Sequence, residues 1–152
     1  MTISSPAFNQ DEPIPLKYTG LGENISPPLV FADIPDETKS FILIVEDQDA
    51  TPQPWIHWLV FNIPHATHEV AESTIPLGGT EGLANGGTPG YEGPNQVYFK
   101  GVHSYNFKLY ALDMVLTIPV NSDKHQVLEA ATGHIIAEAT LTATAEGTGS
   151  AL

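Results

Sequence analysis

Four stretches of the chain carry a readable order of apolar and polar positions. Phe41 to Val45 is an unbroken apolar run that leads into three acidic residues within four positions. Ile56 to Ile63 is a second apolar run, with a single imidazole, His57, between bulky neighbours. Both predict strands. Because strand interiors exclude unpaired charge, Asp47, Asp49 and His57 must lie at strand ends or find partners. Ser104 to Asp113 alternates cleanly, with Tyr105, Phe107, Leu109 and Ala111 on one face and Asn106 and Lys108 on the other, which predicts a half-buried strand. The run from His134 to Gly147 sets Ile135, Ala137, Ala139, Leu141 and Ala143 against Glu138, Thr140, Thr142 and Thr144, a long strand solvated on one side.

The connections read from turn and cap chemistry. Ser122-Asp123 caps a short helix with Val127, Leu128, Ala130 and Ala131 on its apolar side and Gly133 as its stop. Shorter strand-like pieces occur at Ile3 to Phe8 and Ile14 to Tyr18. Pro27 and Pro28 impose an extended entry to Leu29, and Pro35 to Thr38 forms a turn into the central hairpin. Residues 65–97 are rich in Gly, Pro, Asn and Thr; a loop of that length predicts either a function or short hidden elements. The expected architecture is mainly β, an antiparallel two-sheet sandwich with one short helix in the C-terminal half, in a single domain spanning residues 1–152.

Composition narrows the function. Five lysines face 18 acids, no arginine is present, and the formal charge is −13. That surface repels phosphate backbones and anionic lipid, which argues against nucleic-acid and peripheral membrane binding. The N-terminal residues lack the charged head and apolar core of a signal peptide, and no run is long enough to span a membrane, so a cytoplasmic protein without integral membrane association is expected. Without cysteine, neither disulfides nor thiolate metal sites hold the fold.

Among groups able to do chemistry, His57 stands out through its neighbours. Asp47 and Asp49 end the preceding strand, and a carboxylate bonded to one imidazole nitrogen fixes the tautomer and leaves the other nitrogen to donate to an anion. His103 stands at the start of the alternating strand, two residues before Tyr105. Tyr91 and Tyr105 are candidate hydroxyl donors to the same pocket. His65, His68, His125 and His134 fall in turns or at element ends and are read as solvated. No nucleotide-binding, nucleophile-elbow or zinc-protease motif occurs. The two candidate histidines lack close metal-ligand spacing, so no metal and no cofactor are expected.

Residues then point to a family. The segment GENISPPLVFADIPDETKSFILIVEDQDATPQPWIHWLVFNIP, Gly22 to Pro64, is followed by Gly90-Tyr91-Glu92-Gly93-Pro94 and by Gly101-Val102-His103-Ser104-Tyr105-Asn106-Phe107. In that order these closely resemble the phosphatidylethanolamine-binding protein (PEBP) family, above all its bacterial and archaeal Raf kinase inhibitor-like branch. The tail Gly133 to Ala137 is similar to that branch as well. The resemblance implies a large antiparallel sheet packed on a smaller one, and an anion pocket at one end for phosphate-like groups. It would be formed by Asp47, Asp49, His57, His103 and Tyr105, with Tyr91, Gly93 and Pro94 as its wall. It further implies a homodimer. The chain departs from the family at Gln48 and Thr51, where prolines are usual, at Asn95-Gln96-Val97, where a proline pair is usual, and at Ser104, where a basic residue is common.

Three readings follow: a non-enzymatic binding protein for phosphate or phosphorylated head groups, with a regulatory role toward a kinase or other enzyme; a hydrolase acting on an ester or phosphoester through His/Asp acid–base chemistry; and a regulatory protein–protein interaction module.

Overall fold

The computed structural model describes residues 1–152. Eight strands and one α-helix follow in chain order: β1 (Thr2–Ser4), β2 (Leu29–Ala32), β3 (Ser40–Asp47), β4 (Trp55–Pro64), β5 (Glu69–Val70), β6 (Thr80–Glu81), β7 (Lys100–Leu112), α1 (Lys124–Ala131) and β8 (Ile135–Thr148). They form a three-stranded sheet ordered β1-β2-β5 and a five-stranded sheet ordered β6-β4-β3-β7-β8, with every named strand pair antiparallel. The expected mainly β, two-sheet architecture with a late short helix is observed.

The unbroken apolar run of β3 has a simple cause. Its odd-numbered residues Phe41, Leu43 and Val45 belong to the core between the two sheets. Ile42 and Ile44 belong to a second core, built with Tyr110, Leu112, Leu116, Val127 and Ala131, in which α1 and the segment before it cover the opposite face. A strand covered on both faces has no solvent side on which to place polar residues. α1 is fixed at its start by a reciprocal cap, Asp123 accepting from the Gln126 N–H while the Gln126 side chain accepts from the Asp123 N–H.

Two bulges interrupt the pairing of β3 with β4. At the first, Phe41 pairs with Ile63 and Leu43 with Val60, and Asn62 in this stretch adopts φ 55°. Its amide bonds the backbone of Leu116 twice, donating to the carbonyl and accepting from the N–H, each at 2.8 Å. At the second, Val45 pairs with Trp58 but Glu46 with Ile56, so His57 is the extra residue. Ile56 then falls on the helix-covered face, while His57 turns its ring toward Tyr105, on the face between the sheets.

Two sequence expectations are corrected, and one is met. Ile14 to Tyr18 is not a strand: Leu16–Tyr18 form a 3-10 turn, and residues 11–14 bond along the edge of β8. Residues 65–97 do hide short elements, β5 and β6, and lead into a 3-10 turn at Gln96–Tyr98. The second face of β7 is not solvated, since Asn106 is buried and Lys108 reaches a buried carboxylate, Glu46.

Candidate functional site

The end of the large sheet where β3 finishes, β4 begins and β7 begins collects most of the candidate residues. Strand alternation puts Asp47, His103 and Tyr105 on the face toward the small sheet, because Asp47 continues the Phe41-Leu43-Val45 series and Tyr105 pairs opposite Asp47. Strict alternation would send His57 to the other face; the bulge returns it. Its ring meets the Tyr105 ring edge-on with centroids 5.2 Å apart. Phe99, which precedes β7, stacks on His103 at 4.1 Å and lies 6.4 Å from Tyr105. The result is a chain of rings, His57, Tyr105, Phe99, His103, along one rim.

Each imidazole has one nitrogen committed to the protein. His103 Nδ1 lies 2.7 Å from Asp47 Oδ2 and donates to it. The pair is well shielded, with side-chain exposures of 18% for His103 and 6% for Asp47. His57 Nδ1 donates to the carbonyl of Glu92, and in return the Glu92 N–H donates to the His57 carbonyl at 3.1 Å. With both Nδ1 atoms so used, the Nε2 atoms are the positions left for a guest. Burial lowers the affinity of His57 for a proton, partly offset by the Glu92 carbonyl and the Asp47 charge, so its pKa lies below the ordinary histidine value. At neutral pH its Nε2 therefore carries a lone pair. Burial first, then the Asp47 carboxylate, holds the Tyr105 hydroxyl protonated well above the usual tyrosine range.

The acidic pair divides its work differently from the expected arrangement. Asp47 orients His103, not His57, and its Oδ1 also accepts from the Asp49 N–H at 2.9 Å. Asp49 is exposed and orients no imidazole; its Oδ2 accepts from the Ser104 N–H at 2.7 Å, tying the β3 end to β7. Both contacts keep the loop after Asp47 folded against His103, where Gln48 and Thr51 stand in place of prolines. Asn106 adds a third tie by donating to Gln48 Oε1 at 2.6 Å.

The wall residues are structural. Tyr91 does not donate into the site: its hydroxyl bonds the Tyr18 carbonyl at 2.7 Å, and its ring sits edge-on to Trp58 at 5.6 Å. Gly93 donates to Asn24 Oδ1 at 2.8 Å, and any Cβ there would overlap the Tyr18 carbonyl oxygen, which explains the glycine. Pro94 is buried and accepts from the Gly20 N–H. Together they anchor Glu92, whose carbonyl holds His57. His65, His68 and His125 are exposed, as expected; His134 pairs with Asp113 at 2.8 Å on the surface.

Sequence reasoning missed Phe99, the Glu92 carbonyl and Trp55, an exposed ring at the β4 start opposite Asp47. The aromatic density of Tyr98-Phe99 before His103 was the only signal for Phe99. A backbone acceptor such as Glu92 leaves none. A cavity of about 870 Å³ lies on the helix-covered side between α1 and residues 53–56 and 83–87. None of Asp47, His57, His103 or Tyr105 lines it.

The family model described as phosphatidylethanolamine-binding protein matches residues 4–146. The chain belongs to the phosphatidylethanolamine-binding protein family. A UPF0098 protein of Methanothermobacter thermautotrophicus is 44% identical over 146 residues, covering 93% of this chain and 95% of the relative. The crystal structure of a PEBP homologue from Chlamydia trachomatis superposes with a TM-score of 0.90 at 43% identity, covering 95% and 96% of the two chains. E. coli YbcL, described as a new member of the mammalian PEBP family, gives 0.85 at 28% identity over 95% and 97%. A further relative, 33% identical over 97% of this chain and 73% of its own length, is the Mycobacterium tuberculosis protein LppC, which carries a lipoprotein name. No helix of this chain is long and apolar enough to cross a membrane.

Proposed function

We propose that this PEBP-family chain is a non-enzymatic binding protein whose site captures a small anion, phosphate or a phosphorylated head group, between His57 and His103. The observation that carries the reading is the commitment of both Nδ1 atoms, to Asp47 and to the Glu92 carbonyl, which leaves two imidazole nitrogens on one rim. Asp47 fixes the orientation of the His103 ring, and Tyr105 supplies a hydroxyl that stays protonated. Such donors contribute roughly 1.5–3 kcal/mol each to an anion, which supports weak, reversible capture. We place the protein in the cytoplasm, with a regulatory partner that responds to the loaded site.

Titration with phosphate and phosphoethanolamine, followed by NMR, tests the site. In the wild type the amides of Asp49, Glu92 and Ser104 shift saturably, and His103→Ala weakens binding about tenfold or more. Equal shifts in both proteins would remove the site.

The lone pair on His57 Nε2 favours one second reading, a hydrolase in which His57 is the general base. A turnover of generic phosphoester or carboxyl ester substrates that His57→Gln abolishes would replace the binding reading.

A further inference from the structure

The outer edge of the large sheet is half covered. Strand β8 pairs with β7 on one side over its whole length. On its other side the N-terminal segment bonds only the distal half: Asp11 donates to the Thr142 carbonyl, the Glu12 carbonyl accepts from Thr144, Ile14 donates to the Thr144 carbonyl, and Gln10 Oε1 accepts from the Thr142 N–H. These contacts fix the direction of the backbone. Thr142 and Thr144 point their N–H and C=O groups away from β7, and backbone direction repeats every second residue in an antiparallel strand. Glu138 and Thr140 lie in unbroken register with β7, opposite Tyr110 and Lys108, so their N–H and C=O groups also point outward. No backbone partner meets them there. Both residues are exposed.

Apart from Lys108, the charged side chains beside this free edge are acidic. Glu138 stands in its middle, exposed Asp11 and Glu12 at one end, and Asp113, which hydrogen-bonds His134, at the other. Lys108 is the nearby cation, and its ammonium is held by Glu46 at 2.5 Å. A groove of about 360 Å³ lies over the β7–β8 pair beside this edge, lined by Lys108, Leu109, Tyr110, Glu138, Ala139 and Thr140. A second copy of this chain would bring Glu138 and the acidic ends against their own kind, in a molecule of net charge −13.

We propose that the Glu138–Thr140 edge of β8 is a docking site for a basic, extended segment of a partner protein, which adds a strand to the large sheet. Backbone groups of Glu138 and Thr140 supply the hydrogen bonds, and the groove takes alternate side chains of the guest. A lysine or arginine in the guest meets Glu138, and flanking ones meet Asp11 and Glu12. The site is independent of the imidazole rim at the far end of β7.

The test uses the full chain and a capped nine-residue peptide of alternating lysine and valine, with an alternating glutamate and valine peptide as control. NMR titration is expected to shift the Glu138 and Thr140 amides saturably with the lysine peptide and not with the control. Thr140→Pro removes the outward N–H at a position where an edge strand tolerates proline, and is expected to weaken binding at least tenfold. Glu138→Lys, a surface change that leaves the backbone intact, weakens it several-fold even if the proline variant fails to fold. Equal binding by wild type and both variants means general attraction to an acidic surface and overturns the proposal. So does a homodimer in sedimentation that Thr140→Pro dissociates, because the edge is then occupied by a second copy.

Discussion

Glu46→Ala lowers the unfolding free energy by about 2–3 kcal/mol, measured by urea titration at pH 7, and does so by loosening the helix-covered side of the sheet. Glu46 follows Ile42 and Ile44 on that face of β3 and is almost fully buried. Lys108 from β7 and Lys124 from the first turn of α1 reach its two oxygens at 2.5 and 3.0 Å. Burial alone would raise its pKa; the two ammonium groups outweigh burial and hold it below the usual carboxylate value. Removing one member of a fully buried pair costs about 3–5 kcal/mol, but each lysine is 33% exposed and can turn to water, so the smaller figure applies. A carboxyl with a depressed folded pKa stabilises above its unfolded value, and that stability is lost as pH falls through the folded value. The wild type is therefore expected to lose stability below about pH 4.5 more steeply than Glu46→Ala. A variant as stable as the wild type at pH 7, with the same acid limb, would show that the triad contributes nothing net. Lys124 sits at a helix N-terminus, where the dipole disfavours a cation; Glu46 is the reason it is tolerated there.

Sulfate binding strengthens by up to about tenfold per pH unit as pH falls from 8 toward 6, and His57→Gln removes the share of that slope due to His57. Sulfate is the informative probe because it does not titrate in this range, whereas phosphate can bring its own proton. The free protein holds His57 neutral, since burial lowers its pKa. An anion at Nε2 reverses the preference, so capture takes up a proton. The same shift has a consequence for the empty protein. The unfolded chain binds a proton at His57 more readily than the folded one, so stability is present above about pH 6.5 and declines as pH falls through the histidine range. Glutamine, which cannot charge, flattens that decline. A pH-independent sulfate affinity in the wild type would refute the proton coupling.

Much of this was legible from residue types. Phe41 to Val45, Ile56 to Ile63 and the alternation around Tyr105 announced the three strands that carry the rim, and the Asp123 cap announced α1. The family resemblance named His57, His103 and Asp47 together. The pairing among them was not legible. Asp47 and Asp49 lie closer to His57 than to His103 in the chain, yet the antiparallel register of β3 on β7 sets Asp47 opposite Tyr105 and within reach of His103. Tyr91 looked like a pocket donor because a hydroxyl is visible in a sequence, while the Tyr18 carbonyl that occupies it is not. The solvated face assigned to Asn106 and Lys108 failed for a similar reason: periodicity reports polarity, and a polar side chain can be buried when Glu46 or Gln48 waits for it.

The bulge at His57 makes the site depend on counting as well as on chemistry. Deleting a single residue between Asp47 and Trp58 that restored strict pairing would swing the imidazole through the sheet, to the side of Leu59 and α1, without changing the side-chain inventory of the rim. Relatives that spell the same letters with one fewer in this segment would keep the sandwich and lose the grip.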